Sequence, residues 1–111
     1  MDALEKKKIL AELGDIPEEV YDDLARVFIG QLAGRISELK QACRTGDRAA
    51  LKQMAHTLKG TSGNLRLHQV YLLTVELNDI ANDQEAGPRV EELISLLAEC
   101  VAVLKKEFHC S

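Results

Sequence analysis

The chain has 111 residues, enough for one compact domain with a single hydrophobic core but short for two. Its 14 Lys and Arg residues against 18 Asp and Glu residues give a formal charge of −4, without the basic excess typical of nucleic-acid binding. No segment approaches the roughly 20 apolar residues of a membrane helix, and the three cysteines lack disulfide or zinc-site spacing. We therefore expect one cytoplasmic, monomeric domain over residues 1–111, with no metal site and neither nucleic acid nor membrane as partner.

The first half of the chain predicts a short helix and then a long one. Apolar residues before Gly14 have helical spacing and predict the short helix. Pro17, followed directly by Glu18 and Glu19, marks the start of the long helix, which ends near Gly46. Its predicted inward stripe is Val20, Leu24, Val27, Phe28, Leu32, Ile36, Leu39 and Cys43.

Three more helices are predicted in the second half. Asp47 can cap the first of them, and Pro88 marks the start of the last. Their apolar stripes are Leu51, Met54, Ala55, Leu58, Ser62 and Leu65; then Val70, Leu73, Leu77, Ile80 and Ala81; then Val90, Leu93, Ile94, Leu97, Val101, Leu104 and Phe108. No segment alternates like a half-buried strand, so we expect an all-α fold. Four amphipathic helices with short loops favour an up-down antiparallel four-helix bundle, with the short first helix across one end.

The helix after Asp47 carries a histidine on its outer side. At about 100° per residue, His56 lies roughly 150° from the apolar stripe. Lys59, Gly60 and Gly63 share its side of the helix, at the +3, +4 and +7 positions. A glycine inside a helix costs about 1 kcal/mol relative to alanine. Two glycines on an outward face therefore indicate that a partner needs room near the imidazole.

Charge sets the same helix apart from the rest of the chain. From residue 48 to residue 66 there are four cations and no acid, whereas the other 92 residues have a net charge of −8. The four cations are Arg48, Lys52, Lys59 and Arg66. This face is therefore expected to meet an anion. An exposed neutral imidazole beside cations can act as a nucleophile that carries a phosphoryl group, with Lys59 neutralising its charge.

The run Ala55-His56-Thr57-Leu58-Lys59-Gly60-Thr61-Ser62, with Leu65, resembles the signature of histidine-containing phosphotransfer (HPt) domains. Phe28, the break at Gly46-Asp47 and the chain length also suit that family. The resemblance implies a four-helix bundle in which His56 is phosphorylated, Lys59 supports the phosphoryl group, and Gly60 and Gly63 keep the approach open. It further implies no autokinase activity and no cofactor of the chain's own. The partners would be receiver domains of a hybrid sensor kinase and a response regulator, which supply Mg²⁺.

Some positions depart from the family pattern or leave two interpretations open. Arg66-Leu67 replaces a common Gly-Ala pair, so Arg66 either alters the end of the helix or adds a partner contact. Arg48 and Lys52 are candidate docking residues. Ile29, with Gly30 and Gly34, either extends the docking surface or permits close packing between helices.

The sequence leaves three functions to compare. The first is a phosphocarrier that docks on receiver domains, and the second is a non-catalytic four-helix interaction module with the same fold. The third is an enzyme using His56 as general acid or base, which lacks a carboxylate partner on the same helix. No Walker loop, Gly-x-Ser-x-Gly elbow or His-Glu-x-x-His motif occurs. His68 and His109 are interpreted as surface residues.

Overall fold

A computed structural model describes residues 1–110 of the chain. It contains the helices α1 (Ala3–Glu12), α2 (Glu18–Thr45), α3 (Arg48–Asn64), α4 (His68–Ile80) and α5 (Gly87–Glu107), with a 3₁₀ turn (Gln84–Ala86) before α5. No strand occurs within those 110 residues. The predicted all-α helical bundle is therefore confirmed.

The predicted helix boundaries agree closely with the structure. Pro17 directly precedes α2, and Pro88 lies in the first turn of α5, where its missing N–H has no helical partner to lose. Gly46 ends α2 with a left-handed φ of 71°, a conformation that glycine adopts without steric cost. The carboxylate of Asp47 accepts a hydrogen bond from the backbone N–H of Ala50 at 3.1 Å and so caps α3.

Each of the four long helices packs against two others, in the order α2, α3, α4, α5 and back to α2. Their buried side chains form one aliphatic core with few aromatic rings. The up-down order of the helices stays a prediction. The observed packing places α3 between α2 and α4, so the outer side of α3 is bordered by both.

Helix α1 packs against one end of the bundle. Its Ile9 is buried, and the ammonium group of Lys6 lies 2.6 Å from Asp22 and 3.0 Å from Glu18 in the first turns of α2. The same ammonium lies 5.6 Å from the ring centroid of Phe108, just beyond α5. These contacts hold α1 across the start of α2 and the end of α5.

The inward stripe predicted for α2 is confirmed at Phe28, Leu32 and Leu39 but is wrong at its first three positions. Val20, Leu24 and Val27 are 45%, 50% and 61% exposed. The full set of buried positions in α2 is Tyr21, Ala25, Phe28, Ile29, Leu32, Leu39 and Ala42. Both sets step by three and four residues, so helical periodicity alone cannot decide which one faces the core. The packing of α3 and α5 against α2 decides it.

Candidate functional site

Helix α3 holds His56 at its middle and directs the side chain outward. Leu51, Ala55, Leu58 and Ser62 are buried along its inner side, as the sequence predicts. His56 itself is exposed. The imidazole is therefore held by a helix anchored on the opposite side, and it can be reached by another molecule.

The cations of α3 differ in how they are held. Lys59 is half-buried and borders a shallow hollow between α3 and α4 that also includes Gly60 and His68. The ammonium of Lys52 donates a hydrogen bond to the backbone oxygen of Asn78 in α4, at 3.2 Å. Arg48 is half-buried in the first turn of α3. Lys59 is thus the cation that lies within one turn of His56 and lines the open hollow.

The two glycines near His56 have different surroundings. A Cβ added to Gly60 would meet no atom within 4 Å, so this position is open as the sequence predicts. A Cβ added to Gly63 would lie 3.1 Å from two ring carbons of Tyr71 in α4. The expectation that Gly63, like Gly60, leaves room for a partner is therefore wrong. Its missing side chain lets the Tyr71 ring pack against α3.

Arg66 closes the C-terminal end of α3. Its φ of 59° is left-handed, and its guanidinium donates to the backbone oxygens of Gly63 at 3.1 Å and Asn64 at 3.0 Å. It also lies 3.4 Å from the carboxylate of Glu12 in α1. The hydroxyl of the buried Tyr21 donates to the oxygen of Leu65 at 2.5 Å. These contacts give Arg66 a role in ending the helix, which is one of the two interpretations left open by the sequence.

Ile29 is fully buried, so its assignment to a docking surface is wrong. It faces inward because the true buried stripe of α2 passes through it. The neighbouring glycines, Gly30 and Gly34, are open to the surface instead. A Cβ at Gly30 or Gly34 would meet nothing within 4 Å, so neither glycine is needed for helix packing. Both line an open groove between α2 and α3.

The groove between α2 and α3 continues into an exposed apolar surface, whose residues the sequence pattern assigns to the core. Residues 20, 24, 27, 31, 34 and 38 follow one another at steps of four and three along one side of α2. Gln31, Gly34 and Glu38 line the groove beside α3, and Val20, Leu24 and Val27 extend the same side. We call these six residues the α2 stripe. The signal that could have found it is the pair of equally spaced apolar sets in the first half of α2.

Two further features bear on the kind of site. Within residues 1–110, no three His, Cys, Asp or Glu side chains are grouped so that they could hold a metal ion. No helix in the same range is both long enough and apolar enough to cross a membrane.

Comparison with protein families gives one match: the family model described as Hpt domain matches residues 23–107. The matched range includes nearly all of α2 and the whole of α3, α4 and α5. Curated proteins and solved structures were also compared with the chain, and none matches.

Proposed function

Because the chain belongs to the Hpt domain family, whose members carry out histidine phosphotransfer in phosphorelays, we propose that His56 is its phosphorylated residue. In this proposal His56 accepts the phosphoryl group from an aspartyl phosphate of one receiver domain and passes it to an aspartate of another. The supporting observation is the exposed imidazole at the middle of α3, one turn from Lys59 and from the open position at Gly60. The protein acts as a phosphocarrier and has no autokinase activity.

The transfer is a displacement at phosphorus. A ring nitrogen of neutral His56 attacks, the bond from phosphorus to the aspartyl oxygen breaks, and the aspartate leaves as a carboxylate. The other ring nitrogen keeps its proton, so the phosphorylated imidazole is positive until it releases that proton to solvent. The receiver supplies the Mg²⁺ that neutralises charge on the transferring group. Lys59 then provides the cation that stays with the phosphoryl group after the receiver leaves.

The receiver would dock across the α2–α3 groove. The α2 stripe lines this groove through Gln31, Gly34 and Glu38. Further towards the N-terminus of α2 it offers exposed apolar contact area through Val20, Leu24 and Val27. Helix α3 has three cations and no acid, which complements the acidic pocket around a receiver's aspartyl phosphate. A relay component must release each partner, so we expect a weak and fast-dissociating complex.

Phosphoryl uptake from a receiver tests the central claim. The wild type, mixed with a phosphorylated receiver domain and Mg²⁺, should acquire an acid-labile, base-stable phosphoryl group. His56→Gln should fold normally and acquire none. His68→Gln is the matched control, because His68 is also exposed and lines the hollow beside Lys59 and Gly60, and this variant should take up label like the wild type. Label on His56→Gln would refute the assignment.

Two further variants separate the chemistry from docking. Lys59→Ala should shorten the lifetime of the phosphohistidine, measured after the receiver is removed. Val27→Asp should slow transfer while leaving that lifetime unchanged, because Val27 is 61% exposed and lies on the α2 stripe away from the imidazole.

The alternative is a non-catalytic interaction module with the same fold. It gains support if the wild type takes up no label from any receiver of the source organism yet still binds one of them. A module that only binds has no need for an imidazole beside Lys52 and Lys59, which favours the phosphocarrier.

A further inference from the structure

A second apolar surface lies between α4 and α5, on the side of the bundle opposite the groove between α2 and α3. Its walls are Leu72 and Leu73 of α4 with Leu96, Cys100 and Val103 of α5, and Glu99 stands at its rim. Leu72 and Val103 are 65% and 61% exposed, the highest values among the large apolar residues of these two helices. We call these six residues the α4–α5 groove.

The shape of this groove suits a short helix. Leu96, Cys100 and Val103 follow at steps of four and three, so they form one continuous wall about 10 Å long, or two helical turns. Single exposed apolar residues need no explanation, whereas apolar residues that line one groove together give a partner a continuous surface to cover. An amphipathic helix that places apolar side chains at i, i+3 or i+4, and i+7 would fill a groove of this length.

Charge restricts the chemistry of the occupant. Helices α4 and α5 together carry six acidic and three basic residues, whereas α3 carries three basic residues and no acid. Of the three basic residues, Arg89 is already paired with Glu76 and Glu92. Lys105 and Lys106 lie beyond the Val103 end of the groove, and Glu99 is the charged residue that lines it. Glu99 favours an occupant that brings Lys or Arg to the groove over anionic lipid headgroups or a second Glu99 from another copy of the chain.

We propose that the α4–α5 groove binds an amphipathic helix of a partner protein that presents Leu-like side chains to the walls and Lys or Arg to Glu99. The position of the groove makes this contact separate from phosphotransfer. In the ring of packed helices, the α4–α5 groove lies across the core from the α2–α3 groove, and His56 is on α3. A helical partner bound there would hold the domain near its relay components without covering the imidazole.

Binding of designed peptides tests the chemistry directly. The probe is a fluorescent helical peptide of about 15 residues made of Leu and Lys at amphipathic spacing, and the comparison peptide has Glu in place of each Lys. Fluorescence anisotropy with the complete chain should show saturable binding of the Leu/Lys peptide and at least about tenfold weaker binding of the Leu/Glu peptide. Leu72→Asp and Val103→Asp should each weaken binding of the Leu/Lys peptide by about tenfold or more. Glu99→Gln should weaken this binding less, and it should make the binding less dependent on salt.

The matched control is Val27→Asp, which places the same charge at an equally exposed valine on the α2 stripe. It should leave peptide binding unchanged, whereas Val103→Asp should leave the rate of phosphoryl uptake unchanged. Equal effects of the two variants on peptide binding, or equal binding of both peptides, would overturn the proposal. A dimer detected by sedimentation equilibrium and abolished by Val103→Asp would also overturn it and assign the groove to a second copy of the chain.

Discussion

Replacing Gly60 by alanine tests whether this glycine is retained for access to His56. The added methyl group would meet no atom within 4 Å, so the fold gains the helix propensity of alanine without a clash. The gain is about 1 kcal/mol in the free energy of unfolding, which corresponds to a rise in Tm of about 4 °C or more in a domain of this size. Stability should therefore increase, as measured by urea and thermal unfolding.

Phosphotransfer should change in the opposite direction. The methyl group lies one turn from His56, and in the proposed transfer the receiver brings its aspartyl phosphate within bonding distance of that imidazole. A displacement of about 1 Å in a reacting group can cost about a hundredfold in rate, so we expect transfer to slow by about tenfold to a hundredfold. The lifetime of the isolated phosphohistidine should not change, because no partner is bound when it hydrolyses.

Two other glycines serve as controls for this interpretation. Gly30→Ala also adds a methyl group in open space inside a helix, so it should give a similar gain in stability. Gly63→Ala should give a smaller gain or a loss, because the ring of Tyr71 must move away from the new Cβ. If Gly60→Ala is stabilised as expected but transfers phosphoryl groups at the wild-type rate, the explanation based on access is wrong.

Three further outcomes follow from the structure. Burial raises the pKa of Tyr21 from its usual 10.0 to about 12. The folded state therefore disfavours the phenolate more than the unfolded state does. The stability of the fold is unaffected by Tyr21 ionisation below about pH 10, and it falls as the pH rises from there towards 12. Urea unfolding should show a steeper loss of stability across that window in the wild type than in Tyr21→Phe. Gly46→Ala should cost about 1 kcal/mol, measured in the same way, because φ is 71° there. Arg66→Gly should leave phosphoryl uptake within about twofold of the wild type, since its guanidinium contacts the end of α3; a loss of about tenfold would instead make it a docking residue.

The family and the helix boundaries could be predicted from the local sequence because both depend on local residue types and spacing. The run from Ala55 to Ser62 has the residue types and spacing of the phosphotransfer motif, and the helix boundaries at Pro17, Gly46 and Pro88 are set by backbone restrictions of those residues themselves. The outward direction of His56 also followed, because α3 has one clear apolar stripe.

Tertiary structure decided the positions for which periodicity allowed two answers. The first half of α2 has two apolar sets with the same spacing, and only the packing of α3 and α5 buries Phe28 and Ile29 while leaving Val27 exposed. Gly60 and Gly63 look equivalent in the sequence, yet Tyr71 of α4 fills the space beside Gly63 and nothing fills that beside Gly60. A helical pattern fixes which residues share a face, but the neighbouring helices determine whether that face is buried or open to a partner.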